Sequence, residues 1–548
     1  MNFYPPDDIS PPATPPSFFS SNSFSRPKQR LRTSFQTSEY PLLFDEDQLQ
    51  HLRHLKDSFM QLESQQKHLF LHELINCCDN AQLTYLNSLI APRLKIDFLK
   101  ELPIEISLHI LSFIDDPRTL ARAATVSTLW NSLLKDEATW KALCMKHQYR
   151  RRNSSICGGE LLEPPSQRQN FSYRQYFKKK YNIAAAWAHG GKVKTVEEGF
   201  GDGLVTSLQY DEKYIVVGCD NHRIEVFDTN TAEWVRTLEG HEGGVWALQF
   251  KGGEKHDPER VLVTGGCDRD VRVWNLDTGE LRHVLRGHSS TVRCLKMKDK
   301  RVAVTGSRDA SMRIWDIQRG VLLHVLLGHQ GSVRCMEISG NTVVSGSYDY
   351  TARVWDICTG RCLHVLAGHF TQIYAIAFDG QKVVTGSLDS NIRVWSAETG
   401  QCLATLHGHT SLVGQLQLSG STLVSGGSDG CLRVWDLQHY ECVHQISAHD
   451  NSVTCLQFDD RRMLSAGNDG RIKLWDIKQG RLIRHFTLPA KTVWKIQFTD
   501  TKAVVVMQRQ RVPNSEVGKT VLEVHDFDIG EINEEYSPTC SDMIVDAN

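Results

Sequence analysis

The sequence predicts an all-β, eight-bladed propeller preceded by an all-α region, and three observations carry the prediction. Gly-His pairs end at His241, His288, His329, His369 and His409, with Ala448-His449 after them, and their spacing settles at 40 residues, a blade-type repeat period. Within a period, Val/Ile-rich runs such as "STVRCLKM", "RVAVTGSRD", "SMRIWDI" and "LLHVLLGH" are broken at Gly, Asp and Asn, which reads as four short strands. From Asp45 to about residue 147, by contrast, apolar residues recur at spacings of three and four, the pattern of amphipathic helices.

The elements follow in order. Residues 1–44 include "SPPATPPSFFSSNSFSRPKQRLR" and bury too little apolar surface to offset ordering, so a disordered tail is expected. Residues 45–100 form helices: Leu49, Leu52, Leu55, Phe59 and Leu62 line the first, and "HLFLHELINCC" and "NAQLTYLNSLIAPRL" supply two more, with Asp79 capping the last. Residues 101–147 hold three short helices in "LPIEISLHILSFIDDPRTLARAATVSTLWNSLLKDEATWKALC", separated by "DDP" and a Ser-Thr stretch. Residues 148–203 read as a loop and a basic helix, "FSYRQYFKKKYNIAAAWAHGG". Interleaved Lys/Arg and aromatics suit nucleic acid, but a partly packed linker helix is the preferred reading. Residues 204–527 are the propeller, with a degenerate first unit (204–241, Phe227-Asp228) and a degenerate last one (492–527); 528–548 are an acidic, disordered tail.

Bulk properties exclude several function classes. Lys and Arg number 62 against 64 Asp and Glu, a net charge of −2, so overall charge does not drive binding to a polyanion. The fifteen cysteines are scattered, and the tight pairs Cys77-Cys78 and Cys358/Cys362 lack a second ligand pair; no metal or cofactor is expected, and a reducing compartment is. No leader pattern and no run of 18 apolar residues is present, so neither a signal peptide nor a membrane span is expected. His288, Asp309, Trp315 and Ser307 mimic a catalytic set, but groups repeated in nearly every unit are expected to hold blades together through a hydrogen-bond net, and the chain is read as a non-enzyme.

The informative residues are those that change between units at a fixed slot. The first slot follows the opening Val or Ile of the inner strand and reads Thr206, Trp246, Arg293, Arg334, Tyr374, Gly414, Thr454 and Trp494; the second precedes the Asp of the next turn and reads Cys219, Cys267, Arg308, Tyr348, Leu388, Ser428 and Asn468. An inner strand begins where its antiparallel neighbour ends, so both slots open onto one face near the central channel. Arg293, Arg308 and Arg334 are therefore expected to converge, bordered by Tyr348, Tyr374, Trp246 and Trp494, with ring closure bringing Trp494 toward Trp246. Three planar guanidiniums call for an anion between them, and phosphate oxygens fit their forks. A phosphorylated Ser/Thr-Pro peptide is the expected guest, with private pairing of each arginine to an acid of its own blade as the alternative.

These features carry a family resemblance. The units, with Trp274-Asn275, Trp315-Asp316, Trp355-Asp356, Trp395-Ser396, Trp435-Asp436 and Trp475-Asp476, resemble WD40 repeats. Residues 102–144, with Leu102, Pro103, Ile106, Ile110, Leu111, Leu120 and Trp130, resemble an F-box, and the helices before them resemble the dimerisation segment that precedes some F-boxes. Together with "TVRC", "GSRD", "SVRC" and "GSYD", the combination resembles the cell-division-control or archipelago type of SCF ubiquitin-ligase substrate receptor.

The resemblance implies that the F-box docks a Skp adaptor and cullin core, and that Arg293, Arg308 and Arg334 hold phosphate with Tyr348 assisting. It further implies that Trp246 and Trp494 flank the residues around the proline, and that Arg269 reaches a second phosphate. A homodimer is implied as well, while the short basic runs "RPKQRLR" and "KHQYRRR", nuclear signals or solvated loops, lean toward residence in the nucleus, with the cytoplasm as the alternative. Lys495, where the family favours arginine, and the loop "MQRQRVPNSEVGK" depart from the pattern. Two other readings stand beside this one: a WD40 scaffold binding acidic proteins or RNA, and an F-box receptor for Asp-Ser-Gly degrons or a metabolic signal. The chain's own Thr14-Pro15-Pro16 and Ser537-Pro538, with Ser541 beyond, resemble such degrons, and phosphorylated tails are expected to compete with substrates.

Overall fold

The computed structural model describes residues 45–94, 97–147, 149, 172–197, 199–200, 203–254, 257–510 and 518–528. The tails, the loop expected around 150–171, the 511–517 segment and both Thr/Ser-Pro motifs lie outside the described residues. Two compact units divide the chain between Ser107 and Leu108.

The first unit is helical: α1 (Glu46–Gln61), α2 (Ser64–Asn76), α3 (Asn80–Leu94) and α4 (Phe98–Glu101). One start signal is used three times, an acidic N-cap with Gln three residues on. The backbone N–H of Asp45, Glu63 and Asp79 donates to Oε1 of Gln48, Gln66 and Gln82 at 3.2, 3.1 and 3.0 Å, and Asp79 Oδ1 accepts from Gln82 N at 2.7 Å, a capping box that satisfies donors the helix leaves free. Helix α2 buries no residue, and Leu52, Leu55, Leu69, Leu74 and Ile75 are exposed.

Helix α5 (Ile104–Ser112) leads into the second unit, where α6 (Pro117–Ala123), α7 (Thr128–Leu133), α8 (Glu137–Lys146) and α9 (Tyr173–His189) follow. Asp116, Ser127 and Asp136 each cap a helix through a side-chain oxygen, and Pro117 sits at the first helical position, where a missing N–H costs nothing. Helix α9 packs by its aromatics: Trp187 stacks on Phe527 at 3.9 Å, donates its indole N–H to the Asp500 carbonyl at 2.9 Å, and carries Arg462 on its face at 4.4 Å. Lys180 pairs with Asp500, and Lys179 with Asp528 at 2.7 Å. The aromatic half of this helix is thus core of the second unit, in keeping with the packed-helix reading.

Eight four-stranded antiparallel sheets make the propeller. Inner strands follow one another around the channel, and that of the last unit (Thr492–Phe498) lies beside that of the first (Val205–Tyr210). The outermost strand of blade 8 comes from Lys192–Val196, antiparallel to Gly518–Asp526 from Lys192↔Asp526 to Val196↔Leu522. That strand lies in the stretch read as linker. Its partner is more than 300 residues later in the chain, so no local signal marks it.

Blades 2 to 7 each contain one buried net. Nδ1–H of His241, His288, His329, His369, His409 and His449 donates to Asp268, Asp309, Asp349, Asp389, Asp429 and Asp469 at 2.7–3.1 Å. Nε2 accepts from the hydroxyl of Thr264, Thr305, Ser345, Thr385, Ser425 or Ser465 at 2.8–2.9 Å. The same oxygen accepts the indole N–H of the blade's Trp at 2.9–3.0 Å. Burial opposes the Asp309 and Asp349 carboxylates, yet the histidine, hydroxyl and backbone donors outweigh it and hold both below the usual range. Burial also lowers the pKa of His369, His409 and His449 against the pull of their aspartates, so the imidazoles are neutral.

The glycine before the histidine has its own reason. A Cβ at Gly408 would stand 2.6 Å from Arg433 Nη1, and one at Gly240 3.0 Å from Arg272 Nη1. Where Ala448 replaces glycine, Lys473 replaces the arginine and donates to the Ala448 carbonyl at 2.5 Å. Blades 1 and 8 lack the net and use buried glutamates. Glu225 accepts from Trp234 Nε1 at 3.0 Å and Thr237 Oγ1 at 2.6 Å; Glu523 pairs with Arg509 at 2.6 Å and His525 at 3.2 Å.

Candidate functional site

In all eight inner strands the register slips by one residue directly after the opening Val or Ile, and the first-slot residue is the one left unpaired. Thr206, Trp246, Arg293, Arg334, Tyr374, Gly414, Thr454 and Trp494 are therefore β-bulge residues. A bulge re-aims its side chain out of the ladder, so the slot frees one residue from regular pairing at the start of every inner strand.

The second slot is equally regular. The backbone N–H of Cys267, Arg308, Tyr348, Leu388, Ser428 and Asn468 donates to the residue before the opening Val or Ile at 2.8–3.0 Å. In blade 1 that bond is made by Asp220, to the Leu204 carbonyl at 2.9 Å. The slot there belongs to Asp220, and Cys219, fully buried, takes the place of Ser307. "GCDN" misled because its Asp comes one residue early, with Asn221 where other units have Asp. The Asp220 carboxylate is turned back onto Leu204 N at 2.7 Å.

Arg293 is half-buried with its guanidinium over the Trp246 ring at 4.2 Å. Burial first, then the charges of Arg334 and Arg308, lower its pKa from the ordinary arginine value. Arg334 approaches the Tyr374 ring at 6.0 Å, and Tyr348 and Tyr374 lie 5.2 Å apart. Burial, then the hydrogen bond and charge of Tyr348, push the Tyr374 phenol up. Among the described residues no ion pair involves Arg293, Arg308 or Arg334, so the private-pairing alternative finds no partner. Trp246 donates its indole N–H to Cys267 Sγ at 2.9 Å.

Arg293, Arg308, Arg334, Tyr348, Tyr374 and Trp246 thus occupy consecutive blades 2 to 5. Trp494 lies on blade 8 and is partly buried against the blade 1 and blade 8 core, with Thr206 of blade 1 between it and Trp246 in ring order. Arg269 is exposed at the left-handed position of the turn after Cys267 (φ 70°). Arg509 is committed to Glu523. Among the described residues no group of three or more His, Cys, Asp or Glu is placed to hold a metal.

The helical motif divides differently from expectation. Leu111 and Leu120, each 1% exposed, are internal and cannot form part of a docking surface. Leu102, Pro103 and Ile106 are exposed, Ile110 and Trp130 half-buried, and Phe113 and Val126, 71% and 63% exposed, add apolar surface that the motif reading passed over. Both lie just past a helix end, Phe113 after α5 and Val126 after α6, where a helical stripe no longer marks them.

Comparison with known proteins bears on both parts. The F-box-like family model matches residues 99–146. The "WD domain, G-beta repeat" model matches six times, at 232–275, 279–316, 320–356, 360–396, 400–436 and 440–476, ending on the six blades that carry the histidine net. Cell division control protein 4 of Saccharomyces cerevisiae is 32% identical over 230 residues, 41% of this chain and 29% of that protein. F-box/WD repeat-containing protein 7 of Drosophila melanogaster is 36% identical over 210 residues, 36% and 15%. The probable E3 ubiquitin ligase complex SCF subunit sconB of Talaromyces stipitatus is 28% identical over 255 residues, 42% and 37%. The chain spans under two fifths of the length of these relatives. The crystal structure of the computationally designed Ika8 protein superposes with a TM-score of 0.53 and 34% identity, covering 60% of this chain and 98% of that one. The chain is an F-box and WD40-repeat protein, homologous to the cell-division-control, F-box/WD repeat 7 and sconB proteins.

Proposed function

We propose that this chain is the non-catalytic substrate-recognition subunit of an SCF-type ubiquitin ligase, selecting proteins by a phosphorylated Ser/Thr-Pro segment. The observation that supports the reading is that Arg293 feels the charges of Arg334 and Arg308, none of the three with a carboxylate partner among the described residues, beside Trp246, Tyr348 and Tyr374. A phosphate dianion supplies the missing charge through charge-assisted hydrogen bonds. The flat rings accept the proline that follows. The exposed apolar residues Leu102, Pro103, Ile106, Phe113 and Val126 would meet a Skp-type adaptor, and the exposed leucines of α1 to α3 a second copy of the chain.

Fluorescence anisotropy of a Thr-Pro-Pro peptide, phosphorylated and not, tests the reading against wild type and Arg308→Ala. Phosphate-dependent binding that falls by about 30-fold or more in Arg308→Ala is expected, the loss of one desolvated charge pair. Binding indifferent to phosphate or to Arg308 would move the acidic-protein scaffold to first place.

A further inference from the structure

Cys267 stands at the edge of the arginine cluster and has been assigned no role. Its Sγ accepts the Trp246 indole N–H at 2.9 Å, on the same ring that carries Arg293 at 4.2 Å. It is close enough to Arg293 to act on its charge. The thiol is free and exposed. The other exposed thiols of the propeller lie elsewhere: Cys402 and Cys442 are on outermost strands, each beside one guanidinium (Arg393 Nη1 at 4.0 Å, Arg433 Nη1 at 3.9 Å), while Cys362 is on an outermost strand, and Cys358 in the turn before it, away from the arginine cluster.

We propose that Cys267 is a redox gate on the phosphate site: the unpaired guanidiniums recruit glutathione disulfide by its carboxylates, and glutathionylation of Sγ closes the site to phosphopeptides. The inference rests on the phosphopeptide reading above. The same planar forks that fit phosphate fit a carboxylate in two-point contact, and holding the disulfide there raises its effective concentration at the neighbouring sulfur. Cys267, as the thiolate, attacks one sulfur of the glutathione disulfide. The old S–S bond breaks, a mixed disulfide forms, and the second glutathione leaves as a thiolate, so no other oxidant is required. The attached glutathionyl group keeps two carboxylates beside Arg293, where the phosphate would sit. A thiol reductant reverses the exchange.

The test treats the full chain with glutathione disulfide and follows each cysteine by site-resolved mass spectrometry, with phosphopeptide anisotropy read in parallel. Cys267 is expected to react at least about tenfold faster than Cys362, and that advantage to disappear in Arg293→Ala or at high salt. Wild-type affinity is expected to fall by about 30-fold or more and to return with reductant. Cys267→Ser, compared only with itself, is expected to bind equally before and after treatment. Equal rates at Cys267 and Cys362, full modification without loss of binding, or a loss that persists in Cys267→Ser would each overturn the gate. If the reduced wild type ignores the phosphopeptide, the receptor reading fails first; the rate comparison then decides by itself whether the arginines recruit the disulfide.

Discussion

Arg293→Ala separates a charge held ready for a ligand from one that holds the fold together. A buried arginine paired with its own carboxylate would leave that acid uncompensated when removed, at a cost of about 3–5 kcal/mol in stability. Arg293 has no such partner. Its neighbours are the Trp246 ring at 4.2 Å and the like charges of Arg334 and Arg308. Truncation loses a cation–π contact of about 0.5–1 kcal/mol and relieves repulsion acting the other way, so the net stability change is expected within about 1 kcal/mol of zero. Phosphopeptide affinity is expected to fall by about 2–5 kcal/mol, roughly 30-fold or more. Hydrogen exchange of the blade 3 inner-strand amides reads the first quantity and anisotropy at several salt concentrations the second. A stability loss of about 3 kcal/mol or more with affinity intact would refute the reasoning, because it would show Arg293 to be a structural ion-pair member.

Three further outcomes follow from the packing. Ser345→Ala strands His329 Nε2 and the Trp355 indole, both now satisfied at 2.8 and 2.9 Å, and is expected to lower the local opening energy of blade 4 by about 2–4 kcal/mol; Ser345→Thr, the residue used at 264, 305 and 385, is expected to be nearly neutral, and equal protection in the two variants would contradict the shared-hydroxyl net. Acidification is expected to destabilise the propeller in two stages. His369, His409 and His449 have folded pKa values below 6.5, so their contribution is complete above that value and fades as pH falls through the lowered one; Asp309 and Asp349, held below 3.8, lose theirs only at still lower pH. A urea midpoint flat from pH 7 to pH 5 would contradict the first stage. Trp187→Ala removes a 1% exposed ring stacked at 3.9 Å on Phe527 and is expected to cost about 3–5 kcal/mol, seen as proteolysis at α9 while the inner strands keep their protection.

The repeat, the blade count and the placement of Arg293, Arg308 and Arg334 on adjacent blades were legible in the sequence because a propeller is nearly one-dimensional. Each unit repeats the last, so a residue's slot in the sequence is also its place in the ring. The same logic marked the histidines as structural before any bond was seen. What escaped was whatever depends on partners far along the chain or on which side of a helix faces inward. Lys192–Val196 closes blade 8 only through Gly518–Asp526, and Asp220 displaced Cys219 through a one-residue shift that backbone pairing alone reveals. Leu111 and Leu120 have the composition of a docking surface and the burial of a core. Periodicity names the apolar face of a short helix, but only tertiary packing decides which of its residues water still reaches. The bulge belongs to both: its position repeats with the sequence, while the release of that residue from the ladder is decided by pairing in the folded ring.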